Sequence, residues 1–394
     1  MAHTPTVELA PDVLAEVVAT RRDLHAHPEL GFQEHRTAGI VAARLRELGI
    51  EVHERIAQTG VLGILKGGRP GKTIMLRADM DGLPILELNE TAYRSQTDGA
   101  MHACGHDGHV AILLGAARIL SERRADIPGT VVLCFQPAEE GMGGAREMVR
   151  AGILGEYGVE RAYGLHLSSQ HPVGSVGFRE GPMYASSDSI ELTIHGRGGH
   201  GAAPHLSIDP IFVASSFVVA LQQVVSRVVD PTEPAVVTIG SFHAGTTYNV
   251  IPSSAKLLGT VRAFDADVRA KMSERIERVL RGTCEASGAT YDFEYLWRYP
   301  VTSNNAEQTR YARALATRTL GASHVQEFPK IMGAEDFSFF AEKVPACFFQ
   351  VGARGDEGSS WPHHHERFDI DERALEYGVQ MMVALGLDAG AAAP

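Results

Sequence analysis

The chain has 394 residues, 44% of them hydrophobic and 21% charged, enough to bury a large core and to form two domains. Its 36 Lys+Arg against 48 Asp+Glu leave a formal net charge of −12, which opposes any non-specific hold on nucleic acid or anionic lipid and favours small-molecule partners. No basic segment followed by an apolar run opens the chain, and no window of about 18 apolar residues is expected to span a membrane. Cys104, Cys134, Cys284 and Cys347 are far apart and too few for a disulfide scaffold, so the expectation is reduced thiols and a cytoplasmic location.

In chain order, short β-rich apolar runs alternate with longer helical patterns, the mark of a mostly parallel sheet covered by helices. The first expected strand is KTIMLRAD (72–79). MHACGHDGH (101–109) then puts three histidines, a cysteine and an aspartate into nine positions, ahead of the helical run GHVAILLGAARILSE (108–122), with Asp107 placed to cap that helix. The strand TVVLCFQ (130–136), the helix-like GGAREMVRAGIL (143–154) and the strand RAYGLHL (161–167) follow. Around residue 183 the character changes. SDSIELTIHGRGGHG, DPIFVASSFVVALQQVVSRVV, AVVTIGSFHAG, SAKLLGTVRAFD, VRAKMSERIERVLRGTCEASG and ATYDFEYLWRY make a β-α-β-β-α-β order that suits a compact α+β, ferredoxin-like insert. The α/β pattern resumes with ACFFQVG (346–352), and the chain ends in a loose DAGAAAP tail. The expected organisation is a sheet domain over 1–182 and 299–394, interrupted by an insert over 183–298.

Polar residues collect at one edge of this expected sheet. Asp79 and Asp81 end or follow the first strand, Glu139 and Glu140 follow the second, His166 closes the third, and His363, His364 and His365 lie a short loop beyond the last. In open α/β sheets the carboxyl ends of the strands form the ligand crevice. Cys104, His106 and Asp107 precede a helix N-terminus that could face the same crevice, where the positive helix end favours a thiolate. Thiolate, imidazole and carboxylate are the ligand set of zinc and its neighbours, and their supply from scattered loops is typical of catalytic metals. Side chains of neighbouring residues on an extended segment point different ways, so one of Glu139 and Glu140 can bind metal while the other faces a bound water. His25, His27, His102, His109, His171 and His195 are expected as structural or solvated residues. GRGGHG (196–201) matches GxGxxG, but Pro204 and a loop stand where a helix should begin, so its glycines are expected to turn the backbone and present His200.

RRDLHAHPELGFQEHRTA, RADMDGLPILE, MHACGHDGH, FQPAEEGMGGAREM, GLHL, GRGGHGAAPH, GTTYNVIPSSAKLLGTVRAFD, MGAEDFSFF and HHHERFDIDE together resemble the aminoacylase, hippurate hydrolase and auxin-conjugate amidohydrolase group of the M20 metallopeptidases, in unbroken order from about residue 20 to 380. The resemblance implies a metal-binding α/β domain interrupted by a lid that makes a homodimer or higher homo-oligomer, and two divalent ions per subunit (zinc, manganese, cobalt or nickel). It implies Cys104 as bridging ligand, with His106, Glu140, His166 and His364 completing the set. Glu139 is then the general base and later the acid. Asp81 matches the aspartate of an HxD motif, with Asp79 standing where relatives carry a ligating histidine. His200 resembles the lid histidine that stabilises the oxyanion, and Asn249 and Arg262 the positions that hold a substrate carboxylate. The implied reaction is hydrolysis of N-acyl-L-amino acids to a carboxylic acid and a free amino acid. A dipeptidase or carboxypeptidase on the same metals is the related alternative. A metal-free cysteine hydrolase using Cys104 with a histidine and Asp107, and a zinc-stabilised binding protein without turnover, are the alternatives from other classes.

Overall fold

The structure, a computed structural model, describes residues 9–355 and 357–391; the first residues of the chain and the end of the DAGAAAP tail lie outside them. The chain divides into two compact units: Met1–Gly181 with Ser303–Pro329 and Asp336–Pro394, and Pro182–Thr302 with Lys330–Glu335.

Among the described residues the first unit holds an eight-stranded sheet. From edge to edge its strands are Glu51–Ile56, Gly60–Lys66, Pro128–Gln136, Arg69–Asp79, Val159–Pro172, Ala346–Arg354, Val176–Phe178 and Val325–Glu327. The four central strands are those the apolar runs predicted, and they pair in parallel. Their continuous burial, as in Ile74, Met75 and Leu76 or Val131, Val132 and Leu133, is what a sheet covered on its faces requires of its sequence. Antiparallel pairing enters only toward the edges.

The helix His106–Glu122 is buried without a break from His106 to Ala117. Small residues allow this: a Cβ on Gly115 would stand 2.4 Å from Val17 of the helix Pro11–Ala26, and one on Gly378 would stand 2.5 Å from Ile112. The helix begins two residues earlier than expected. Asp107 does not cap it; Gly105, at φ +89, occupies that position without a side-chain bond. The Asp107 carboxylate is drawn away by stronger partners, accepting from Arg21 Nε at 2.9 Å and lying 2.7 Å from His25 Nδ1. The expected helix over 143–154 is two short ones, Gly144–Arg150 and Ile153–Glu156, broken where Gly152 turns left-handed at φ +84.

The second unit is built on a four-stranded antiparallel sheet ordered Ala235–Ala244, Ser254–Ala263, Ser187–His195, Thr290–Tyr299, with the helices Pro210–Gln223 and Ala266–Ser287 packed on it. Strict alternation along Ser187–His195 and the stripe Met272, Ile276, Leu280, Cys284 produce one buried face each. Ile331 joins this unit by exchanging backbone bonds with Met183 and Ala185. The segment Pro210–Val228 is, by length and composition alone, long and apolar enough to cross a membrane, with a mean hydropathy of 1.6. Ser215, Ser216, Gln222, Gln223 and Arg227 interrupt it, so it is not a run of about 18 apolar residues. Its inward side, Val213, Ala214, Phe217, Leu221 and Val224, is buried in the core of the unit.

Candidate metal centre

Five stretches of the first unit converge on one spot. The strand Arg69–Asp79 ends at Asp79 and leads into Asp81; Pro128–Gln136 leads into Glu139 and Glu140. Val159–Pro172 runs on past His166, but its last pair with Arg69–Asp79 is Gly164 with Arg77, so His166 stands past the end of that pairing, level with Asp79. The loop carrying His364 is tied to the cysteine loop by the His364 N–H donating to Ala103 O at 2.8 Å.

The ligand atoms of Cys104, His106 and His166 lie within 4.8 Å of one another, and so do those of Cys104, Glu140 and His364, so one thiol belongs to both groups. Glu139 falls within the same distance of His106 and Glu140. Cys104 Sγ is 3.5 Å from His166 Nε2 and 3.7 Å from His363 Nδ1, while Glu140 Oε1 is 3.2 Å from His364 Nε2 and 3.9 Å from His106 Nε2. The left-handed turns needed to aim these groups fall on Gly105 (φ +89), Ala138 (φ +52) and His364 itself (φ +65), sparsely populated conformations for the latter two.

The fit of this cluster to metal is decided by its ring nitrogens. His106 Nδ1 faces the carbonyl of Asp81 at 2.9 Å and His166 Nδ1 that of Leu167 at 2.7 Å; a carbonyl accepts only, so both rings donate from Nδ1 and, in the neutral form, keep a lone pair on Nε2. His106 Nε2 is buried and hydrogen-bonds to nothing. An imidazole held by its far N–H with its other nitrogen free is how proteins orient metal-binding histidine. Burial alone would lower the pKa of His106, yet Asp79 and Cys104 hold it well above its ordinary value, so the surroundings attract positive charge. Burial, with Glu140 close by, pushes the Cys104 thiol up, which disfavours a thiolate unless a cation stands beside it. Cys104, His106, His166, Glu140 and His364 thus fit a pair of divalent ions.

His109, by contrast, is saturated: Nδ1 lies 2.6 Å from Asp79 Oδ1, and Nε2 accepts from the Leu167 N–H at 2.9 Å. Asp79 also pairs with Arg77 at 2.9 Å, and its Oδ2 lies 3.4 Å from His106 Nε2. Asp81 accepts the Glu139 and Glu140 N–H groups at 2.9 and 3.0 Å on its two oxygens and touches His106 through its carbonyl, so it positions the other groups. Sequence reasoning left His363 as a ring supporting the ligand His364, and assigned no part to Arg77, Gln136 or Asp336. Asp336 donates its N–H to Glu139 Oε1 at 3.2 Å, and its carboxylate accepts from Arg77, Gln136 and the Ala145 N–H. The motif GAED was the one available signal for it.

In the second unit His200 pairs with Val250 across a short ribbon, and the Gly201 N–H donates to Asn249 O at 2.9 Å, so His200 and Asn249 are neighbours. Arg262 is not with them. It lies eight residues along Ser254–Ala263 from the ribbon end, about 26 Å at strand rise, with Nη1 donating to Val261 O at 3.1 Å.

An α/β fold whose strand ends gather a thiol shared between two ligand groups, with a further carboxylate beside them, fits the class of metal-dependent hydrolases. The chain belongs to the peptidase family M20/M25/M40, whose profile matches residues 75–388. It is 41% identical to the thermostable carboxypeptidase 2 of Saccharolobus solfataricus over 367 residues, 92% of each chain. It is also 41% identical to the N-acetylcysteine deacetylase of Bacillus subtilis over 374 residues, covering 94% of this chain and 96% of that one. Among solved structures it resembles the YxeP protein of Bacillus subtilis, described as a dinuclear metal-binding peptidase of the M20 family, with a TM-score of 0.84, 36% identity, and 97% and 99% of the two chains covered.

Proposed function

We propose that the protein hydrolyses the amide bond of N-acyl-L-amino acids to a carboxylic acid and a free amino acid. The observation that carries this reading is the membership of Cys104 in two ligand groups, with a further carboxylate, Glu139, beside the same imidazole. Cys104, His106, His166, Glu140 and His364 would hold two divalent ions, which when bound supply Lewis acidity toward the amide carbonyl and acidify water. Mixed sulfur, nitrogen and oxygen ligands admit zinc, manganese, cobalt or nickel.

Glu139 takes the proton of the attacking water and delivers it to the leaving nitrogen, so that an amine and not an amide anion departs. Asp81 and Asp336 steady it, Asp81 through its backbone N–H and Asp336 through Oε1. On the family resemblance, His200 donates to the developing oxyanion and Asn249 receives the substrate carboxylate, while Arg262, set apart from Asn249 within its own subunit, would meet that carboxylate only from a second copy of the chain. The test is release of amino acid from N-acetyl, N-benzoyl and indoleacetyl amino acids and from two free dipeptides, with metal-loaded and chelated protein. Metal-dependent turnover that falls on the order of 10²–10⁴-fold in Glu139→Ala is expected; activity surviving chelation would overturn the mechanism. Preference for the dipeptides would favour the peptidase reading, which the carboxypeptidase named among the relatives keeps open.

We further propose a cytoplasmic homodimer formed through the second unit. Four free, buried cysteines support a reducing compartment. The outer side of Pro210–Gln223 leaves Phe212 65% and Val219 75% exposed, and the edge strand Ala235–Ala244 exposes Phe242. Solvated apolar side chains beside an unpaired edge suit an isologous contact with a second copy. Phe212→Asp with Val219→Asp should halve the mass measured by light scattering.

A further inference from the structure

We propose that Glu34 is a positioning residue for amide hydrolysis, holding the backbone turn at Ala138 from which Glu139 and Glu140 are presented; this rests on the hydrolase reading above. Glu34 is wholly buried. Its Oε1 accepts the Ala138 N–H at 2.8 Å and its Oε2 the Thr59 hydroxyl at 2.5 Å, so the carboxyl is anchored at one end and spends the other on a single backbone amide. Asp81 takes the next two amides, Glu139 and Glu140. Three successive N–H groups are therefore fixed by two buried carboxyls from separate parts of the chain.

The amide that Glu34 holds is the one that needs holding. Ala138 stands at φ +52, a left-handed conformation that is strained for a non-glycine residue. Relaxation toward the ordinary region would swing the next peptide, and Glu139 with it. Space confirms the constraint: a Cβ on Gly31 would lie 3.1 Å from the Ala138 Cβ, and the Gly144 N–H closes the turn by donating to Ala138 O at 3.0 Å. Burial lifts the Glu34 carboxyl to about 7, against the Thr59 hydrogen bond and helped by nearby Asp81. Glutamine therefore imitates a form the acid itself takes at neutral pH, keeping an oxygen for Ala138 and offering an N–H to Thr59.

The experiment compares wild type, Glu34→Ala, Glu34→Gln and Thr59→Val on the N-acetyl and N-benzoyl amino acids, recording kcat, KM, bound metal and thermal midpoint. Misplacement of a catalytic group by about 1 Å costs on the order of 10²-fold in rate. Glu34→Ala should accordingly lose on the order of 10–10²-fold in kcat, with KM within about threefold and metal retained, and Glu34→Gln should restore most of it. Should Glu34→Ala fail to fold, Thr59→Val, which frees only the anchored end, must lower kcat with the same KM. Unchanged kcat in Glu34→Ala or in Thr59→Val, no rescue by glutamine, or a loss that merely follows lost metal would each overturn the proposal. A wild type inert toward every substrate, metal-loaded, would instead sink the hydrolase reading and this proposal with it.

Discussion

Gly105 stands between two candidate ligands at φ +89, where a side chain costs roughly 1–2 kcal/mol. Gly105→Ala should lower stability by about that amount, and because the strain relaxes by turning Cys104 away from His106, metal content should fall as well; thermal unfolding and elemental analysis read the two effects. His25 carries a different prediction. Burial and Arg21 pull its pKa down, but Asp107 and Glu87 outweigh them and raise it from 6.5 to about 8. A histidine whose folded pKa is raised contributes stability that is complete below 6.5 and is lost as pH rises through about 8. His25→Gln should flatten the stability curve across that window, measured by denaturant midpoints at a series of pH values.

Elements are held by contacts as specific as those of the site. The helix Arg373–Asp388 meets His106–Glu122 where Gly378 leaves 2.5 Å between an added Cβ and Ile112. Gly378→Val should cost about 1–3 kcal/mol, the usual penalty of overpacking. In the second unit the buried Asp188 carboxylate takes both Arg269 bonds at 2.7 and 2.9 Å, the Tyr295 hydroxyl at 3.1 Å and the Arg298 N–H at 2.9 Å. It ties the helix Ala266–Ser287 to the strands beneath it. Asp188→Ala should destabilise by about 3–5 kcal/mol because the guanidinium is left without its counter-charge. Calorimetry reads both variants.

For the whole molecule, ions that bind only the folded chain stabilise it by mass action, about 2.7 kcal/mol at a hundredfold excess over Kd. Chelation should therefore lower the thermal midpoint, readdition of metal restore it, and Cys104→Ala remove the difference. The alternation of apolar runs was enough to place the four central strands, because a strand buried on both faces writes its burial into consecutive residues. The clustering of Asp81, Glu139, Glu140 and His166 at one edge followed from the same pattern. The edge strands and the break at Gly152 were not legible, being short and governed by single backbone turns. The mistaken cap at Asp107 shows the limit most clearly. Its side chain is a good helix cap by type, and only the arrival of Arg21 and His25 from a distant helix redirects it. By itself the sequence determined the fold class, the family and the pool of donors, since periodicity and local motifs suffice for these. Tertiary structure alone decided that His106 keeps a free nitrogen while His109, three residues on, is spent on Asp79 and Leu167, because a ring's capacity to bind depends on partners supplied from other strands.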